Sequence, residues 1–223
     1  MSAEAHGHGN HLVYHQYEDL EQQRESYIVG MWSFLVTEIM MFGALFLAYM
    51  VYRMQYQEHF YQIHKQLSIP VGATNTVVLL VSSFAMAIAV YHHQMKNPKM
   101  VNRWLCLVQL CAATFLVIKI VCEWIPKANS HLTPFYGTFE WHYGGGVPPE
   151  VAKLFFSLYF AMTGLHGAHV VIGMIVIGAL QYMIWKKHPL VEDYIPTEMI
   201  GLYWHFVDIV WIFLYPLYYL MPK

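Results

Sequence analysis

The sequence predicts an all-α polytopic membrane protein built as a bundle of five transmembrane helices. Three observations carry that expectation. Hydrophobic residues make up 57% of the 223-residue chain and charged residues only 12%, against the roughly 25% charged share of a soluble domain. Five stretches stay mainly apolar over the ~20 residues a helix needs to cross hydrocarbon. The alternation of a half-buried strand is missing from the sequence. The formal net charge of −2 gives no basic footprint, so nucleic acid is not an expected partner.

Residues 1–26 are polar and acidic around a single Arg24. They lack an apolar core and read as a tail, not a cleavable leader. Its His6, His8, His11 and His15 could catch a metal ion, but a solvated tail explains them as well. Residues 27–223 form the membrane domain. The first span covers residues 27–52. The second, 70–91, opens on Pro70, where a missing N–H costs nothing. The third, 104–125, has Trp104 and Trp124 at its ends, as interfacial aromatics are placed. The fourth, 151–185, follows Pro148-Pro149 and stops before His188-Pro189; it exceeds one bilayer thickness and is expected to tilt or project. The fifth covers 197–220, and Pro216 is expected to kink its last turns.

The connections read as short except for 126–150. That loop holds Pro126, Pro134, Pro148 and Pro149, the run Gly144-Gly145-Gly146, and the aromatics Phe135, Tyr136, Phe139, Trp141 and Tyr143. It is expected to be an ordered aromatic cap over one end of the bundle. Cys106, Cys111 and Cys122 have neither disulfide nor zinc spacing and are expected to be buried, inert thiols. Five spans put the termini on opposite sides. Arg24, Lys96, Lys99, Arg103, Lys186 and Lys187 fall on the N-terminal side, against Arg53, Lys65, Lys127, Lys153 and Lys223 on the other. The short 92–103 and 186–195 connections carry most of the first set, which predicts a cytoplasmic N-terminus.

Charge at membrane depth needs a reason. Glu38 sits ~17 Å along the first span at 1.5 Å per residue, so it is expected to be protonated or hydrogen-bonded and to face other helices. In the fourth span His166 and His169 share a helix face, and in the fifth so do His205 and Asp208; an Asp beside a His can fix the ring tautomer. Glu38, His166, His169, His205 and Asp208 are therefore expected to form one buried polar layer or two adjacent ones. The layer could be structural, could handle protons through Glu38, or could hold a metal or haem. Lys119 and Glu123, four apart near the end of the third span, are expected to form an ion pair. Gly164, Gly167 and Ala168 present a small face on the fourth helix where backbones could approach, as do Ser33 with Thr37 and Ala44 with Ala48 on the first. No nucleophile elbow, phosphate loop or zinc-protease motif occurs. No catalytic residue and no metal site is therefore expected in this chain.

Three long segments carry a resemblance. Trp32-Ser33-Phe34-Leu35-Val36-Thr37-Glu38-Ile39-Met40-Met41-Phe42 looks like a carboxylate-bearing helix. Thr163-Gly164-Leu165-His166-Gly167-Ala168-His169-Val170-Val171-Ile172-Gly173 is similar to a T-G-x-H-G-x-H-V-x-x-G stretch. Tyr203-Trp204-His205-Phe206-Val207-Asp208-Ile209-Val210-Trp211-Ile212-Phe213-Leu214-Tyr215 looks like a final helix. In this order they resemble subunit III of the haem-copper respiratory oxidases, in its five-helix bacterial form. The resemblance implies a non-catalytic core subunit of a proton-pumping terminal oxidase that reduces oxygen to water. It implies direct contact with subunit I, subunit II as a further partner, and haem and copper held in those partner subunits, with no cofactor in this chain. It also implies bound phospholipid, support of proton uptake and turnover stability, and a bacterial inner-membrane location with the C-terminus outside the cytoplasm. Glu38 matches the family carboxylate that reacts with hydrophobic carbodiimides. Longer members carry two further N-terminal helices that make a lipid-filled cleft. A subunit III-like protein associated with nitric oxide reductases shares these motifs and is the alternative.

Overall fold

The structure is a computed structural model and describes residues 20–134, 139–142, 146–188, 191 and 193–220. The four tail histidines, and Phe135, Tyr136, Tyr143, Gly144 and Gly145 of the predicted cap, lie outside the described residues. The elements run in the order α1 (Leu20–Gln55), α2 (Gln57–His64), α3 (Ile69–Gln94), α4 (Pro98–Lys119), a π-helical turn (Ile120–Trp124), α5 (Ile125–Asn129), α6 (Pro149–Trp185) and α7 (Ile195–Tyr219). Five helices are long and apolar enough to cross a membrane, with α4, the π turn and α5 counted as one continuous rod.

The helix ends follow from local chemistry. Pro70 and Pro98 occupy first-turn positions of α3 and α4, and the Asn97 side chain accepts the Met100 N–H at 3.4 Å to cap α4. Three helix ends close on a non-glycine residue with positive φ: Lys96 at 55°, His131 at 54° and Lys187 at 52°. In each case the next residue's N–H reaches back over the turn: Asn97 to His92 O, Leu132 to Lys127 O and His188 to Met183 O. This is the glycine-type cap built without glycine, which is why the sequence does not mark it. Pro216 does not end α7, which continues through it to Tyr219.

The 53–69 connection is not a bare link. Its α2 buries Phe60, Ile63 and His64, with the Phe60 ring edge-on to Phe155 of α6 at 5.2 Å and 5.7 Å from Tyr49 of α1. The connection is too short to register as a span and too rich in Gln, His and Tyr to stand out by hydropathy. The π turn is equally invisible, because its five residues are of types found in any α-helical run. In the 126–150 loop, Leu132 and Val147 are buried, while Phe139 and Trp141 lie 6.3 and 6.4 Å from Phe156 of α6. The expectation for the thiols needs correcting: Cys111 is buried but Cys106 and Cys122 are exposed. They sit on the outward face of the third rod, where a weakly polar thiol costs little in lipid.

The core is aromatic and lies where α7 meets α3, α4 and α6. Trp204 and Trp211 are fully buried, and their indole N–H groups donate to Ser82 at 2.7 Å and Thr76 at 3.1 Å, both on α3. With no hydrophobic drive between helices in lipid, such bonds and close packing hold the bundle. The tight approaches are at Gly72 and Gly173. An added Cβ at Gly173 would meet Trp204 Cζ3 at 2.7 Å, and one at Gly72 would meet Tyr215 Cε2 at 2.8 Å. The small-face expectation fails for Gly164, whose added Cβ would meet nothing within 4 Å, while Gly167 makes only an ordinary 3.6 Å contact with Trp124. The helices close in one or two turns further along α6, and Ala168 is exposed. Small residues permit proximity; here a larger partner, Trp204, decides where it is used.

Candidate functional site

Five polar centres lie inside the span-length helices, and their hydrogen-bond partners separate them. Glu38 of α1 and His169 of α6 form a pair, with 2.9 Å between Glu38 Oε2 and His169 Nε2. His169 Nδ1 lies 2.8 Å from the Leu165 carbonyl oxygen. A carbonyl can only accept, so Nδ1 carries a proton. Nε2 then either accepts from a protonated Glu38 or, in a cationic ring, donates to the carboxylate. Either way the pair shares one proton, and Glu38 is answered by a neighbouring helix. Tyr203 donates to the His169 carbonyl at 3.1 Å, and Phe42 meets the His169 ring edge-on at 5.3 Å, which fixes the ring's position.

This pair forms the floor of a groove of about 410 Å³ between α1, α6 and α7, walled by Met31, Phe34, Ile172, Met199 and Tyr203. A second hollow of about 410 Å³ shares Met31, Phe34 and Met199 and extends to Ser26 and Tyr27. The groove thus runs from the N-terminal end of α1 to a carboxyl near mid-membrane. At its end Arg24 bridges to Asp193 in the α6–α7 connection at 3.1 Å.

The other expected members of the layer are elsewhere. His205 Nδ1 lies 2.7 Å from Ser83 Oγ of α3. Asp208 is buried, and neither carboxyl oxygen has a hydrogen-bond partner among the described residues. So Asp208 does not fix the His205 tautomer; Ser83, a residue sequence reasoning passed over, occupies that ring nitrogen. His166 is fully buried and neither ring nitrogen is bonded. It packs as an aromatic, 5.5 Å from Phe115 and 5.2 Å from Trp211. Of the five residues only Glu38 and His169 bond to each other; His205 bonds Ser83 instead, and His166 and Asp208 bond to none of the set. The reason is angular. A spacing of three leaves side chains ~60° apart around a helix of 3.6 residues per turn. That turns His169 toward α1 and His166 toward α4 and α7. Among the described residues no group of three His, Cys, Asp or Glu could hold a metal ion.

The most complete polar centre surrounds Lys119 and Glu123. Their side chains form a buried ion pair, 3% and 1% exposed. Lys119 Nζ also donates to Tyr159 at 3.0 Å and Tyr219 at 2.7 Å, while both tyrosines donate to Glu123, Tyr159 at 2.6 Å to Oε2 and Tyr219 at 2.6 Å to Oε1. The ammonium also lies 4.7 Å from the Trp211 ring centroid. Each acceptor and donor has its counterpart, which a buried ion pair requires to hold. The π turn begins immediately after Lys119 and carries Glu123 within it. Such turns are frequent at specialised sites. Sequence spacing finds the Lys–Glu pair; Tyr159 and Tyr219, 40 and 100 residues from Lys119, give no local signal.

The comparisons with known proteins point one way. A family model described as cytochrome c oxidase subunit III matches residues 150–222, which contain nearly all of α6 and the whole of α7. Cytochrome c oxidase subunit 3 of Thermostichus vulcanus is 27% identical over 200 residues, covering 88% of this chain and 88% of that protein. The probable quinol oxidase subunit 3 of Staphylococcus epidermidis is 25% identical over 201 residues, covering 86% and 88%. That of Staphylococcus aureus is 24% identical over 195 residues with the same coverage.

Proposed function

We propose that this chain, which belongs to the subunit III family of haem-copper oxidases, works as a non-catalytic core subunit that packs on subunit I of a proton-pumping terminal oxidase. It is a multi-pass membrane protein with five membrane-length helices. Relatives whose names specify either cytochrome c or quinol oxidases match it over nearly the same extent, 88% and 86% of the chain. That observation carries the reading: one scaffold serves complexes with different electron donors, so donor oxidation and oxygen chemistry belong to other subunits. Haem and copper are assigned to those partners. The same names favour an oxidase over a nitric oxide reductase assembly.

Within this reading the groove ending at Glu38 is a seat for a phospholipid acyl chain, since its walls are aliphatic and aromatic. The Glu38–His169 pair holds one proton at its floor and gives the chain a modulatory part in proton uptake and turnover stability. The orientation follows the basic 92–103 and 186–195 connections: N-terminus in the cytoplasm, C-terminus outside, in a bacterial inner membrane.

The test is to purify the tagged chain from its own membranes in mild detergent and to record the haem spectrum and the companion chains. The expected result is a haem- and copper-bearing partner in stoichiometric amount. An oxidase stripped of this chain is expected to keep its haem bands and lose activity faster during turnover. A tagged chain that emerges free of haem-bearing companions refutes the reading.

A further inference from the structure

The outward surface of α7 carries a polar atom that no described residue answers. His205 is the eleventh residue of α7 (Ile195–Tyr219), ~15 Å from its start at 1.5 Å per residue, which is mid-hydrocarbon. It is half-buried. Its Nδ1 pairs with Ser83 Oγ at 2.7 Å, a bond in which either atom can be the donor. The other ring nitrogen, Nε2, has no hydrogen bond among the described residues.

Around this nitrogen the surface is apolar. Ile209, Ile212 and Phe213 of α7 are exposed, as are Leu80 and Phe84 of α3. The strip is bounded on one side by α3, held through Trp204 and Trp211, and on the other by α1, where Phe42 meets Phe206 at 6.1 Å. The result is a shallow channel along α7 with an unpaired ring nitrogen halfway down it. Acyl chains offer no hydrogen-bond partner at that depth, and an unanswered polar atom there is costly. The opposite face differs. Leu110 and Ile175 are as exposed, but polar groups there are satisfied internally: Gln109 donates to the Met174 carbonyl at 2.6 Å and Thr114 to Leu110 at 2.8 Å. Ser33 and Thr37 of α1 likewise bond their own helix. Those faces suit lipid; the α7 strip does not.

We propose that the α7 strip between α1 and α3 is the seat of a transmembrane helix of the haem-bearing core partner, and that His205 Nε2 hydrogen-bonds a polar group on that helix. This rests on the subunit reading above and specifies which face is used. The occupant is a protein helix that presents a hydrogen-bonding group at mid-depth between apolar side chains.

The test places p-benzoylphenylalanine at Ile209 or Phe84, and at Leu110 or Ile175 as controls, in the tagged chain within its native membrane complex. Irradiation is expected to link the first two positions, and not the controls, to the haem-bearing partner. In parallel, His205→Leu is expected to lower the haem recovered per chain after detergent washing by about tenfold, the effect of one lost membrane-buried bond, while His205→Gln keeps a hydrogen-bonding group and retains most of it. If the partner co-purifies but is linked only from Leu110 or Ile175, if the α7 positions link to lipid alone, or if His205→Leu holds haem like the wild type, the proposal is overturned. If the wild-type chain carries down no haem-bearing companion, the subunit reading itself fails.

Discussion

Gly164 and Gly173 belong to one sequence motif, yet the structure gives them opposite demands. At Gly173 a Cβ would stand 2.7 and 2.8 Å from Trp204 Cζ3 and Cε3 and 3.4 Å from Tyr203 Cε1. The indole cannot retreat: Trp204 is fully buried and its N–H is held by Ser82 at 2.7 Å. Overpacking of this kind costs about 1–3 kcal/mol, against which alanine's helix preference returns at most about 1 kcal/mol. Gly173→Ala is therefore expected to lose roughly 1–2 kcal/mol, a fall in melting temperature of about 2–8 °C for a chain of this length. At Gly164 nothing lies within 4 Å, so Gly164→Ala keeps only the propensity gain, from about 0 to 1 kcal/mol. Thermal unfolding of the chain in lipid nanodiscs, followed by tryptophan fluorescence, measures both. Equal losses at the two positions would mean that the approach of α7 to α6 at Gly173 is not what holds this interface.

Other perturbations separate the polar centres. Glu38→Gln keeps a hydrogen-bond partner for His169 and is expected to assemble normally. Glu38→Leu strands the His169 Nε2 position at a cost of about 1–3 kcal/mol, and equal recovery of assembled complex from both variants would refute the pairing. Glu123→Ala leaves a buried ammonium among tyrosines and is expected to cost about 3–5 kcal/mol, whereas Lys119→Met with Glu123→Leu together should cost less than that single change; chemical denaturation of the three proteins checks the order. His64 lies in α2, outside the spans, and burial holds its protonation below the usual range despite its bond to the Tyr61 carbonyl, with Lys65 and Arg53 adding to the effect. A depressed histidine favours the neutral folded form. Stability at α2 is thus flat above about pH 6.5, the unfolded value, and declines as pH falls below it. Protection of the Phe60 and Ile63 amides against hydrogen exchange, taken relative to the intrinsic rate at each pH, should fall between pH 8 and pH 5, and that fall should vanish in His64→Asn.

Much of the architecture was legible because lipid makes composition and length decisive. Five apolar runs could be nothing shorter than spans, and the structure carries five helices long and apolar enough to cross a membrane. What escaped were features set by neighbours or by backbone geometry. The α2 contact depends on Phe60 meeting Phe155 and Tyr49, which no local pattern announces. The π turn at Ile120–Trp124 and the positive-φ caps at Lys96, His131 and Lys187 use residues of ordinary type. In the polar interior, residue kinds and depth were readable, so Glu38 and the histidines stood out at once. Their partners were not, because helical spacing states which side chains share a face of one helix and is silent on the helix opposite. Ser83 beside His205, and Tyr159 and Tyr219 around Glu123, are answers supplied across the bundle.

The state of each polar centre's hydrogen-bonding capacity separates their roles. At Lys119 and Glu123 the ammonium and both carboxylate oxygens are engaged by the pair itself, Tyr159 and Tyr219, with both side chains almost wholly inaccessible. Such a centre has nothing left to offer a proton or a ligand, and its work is to lock the third rod to α6 and α7. Glu38 and His169 are also matched, but by one shared proton and at the floor of an open groove, so that centre can change state without either partner losing its bond. His205 is matched on one nitrogen and open on the other, toward the outside of the molecule. A closed centre braces, a proton-sharing centre responds, and an outward-facing open one docks. The same inventory of Lys, Glu and His in a soluble domain would carry no such distinction, because water would answer every open group. In a bilayer it cannot, and the unanswered nitrogen of His205 therefore identifies the face of this bundle that requires another protein.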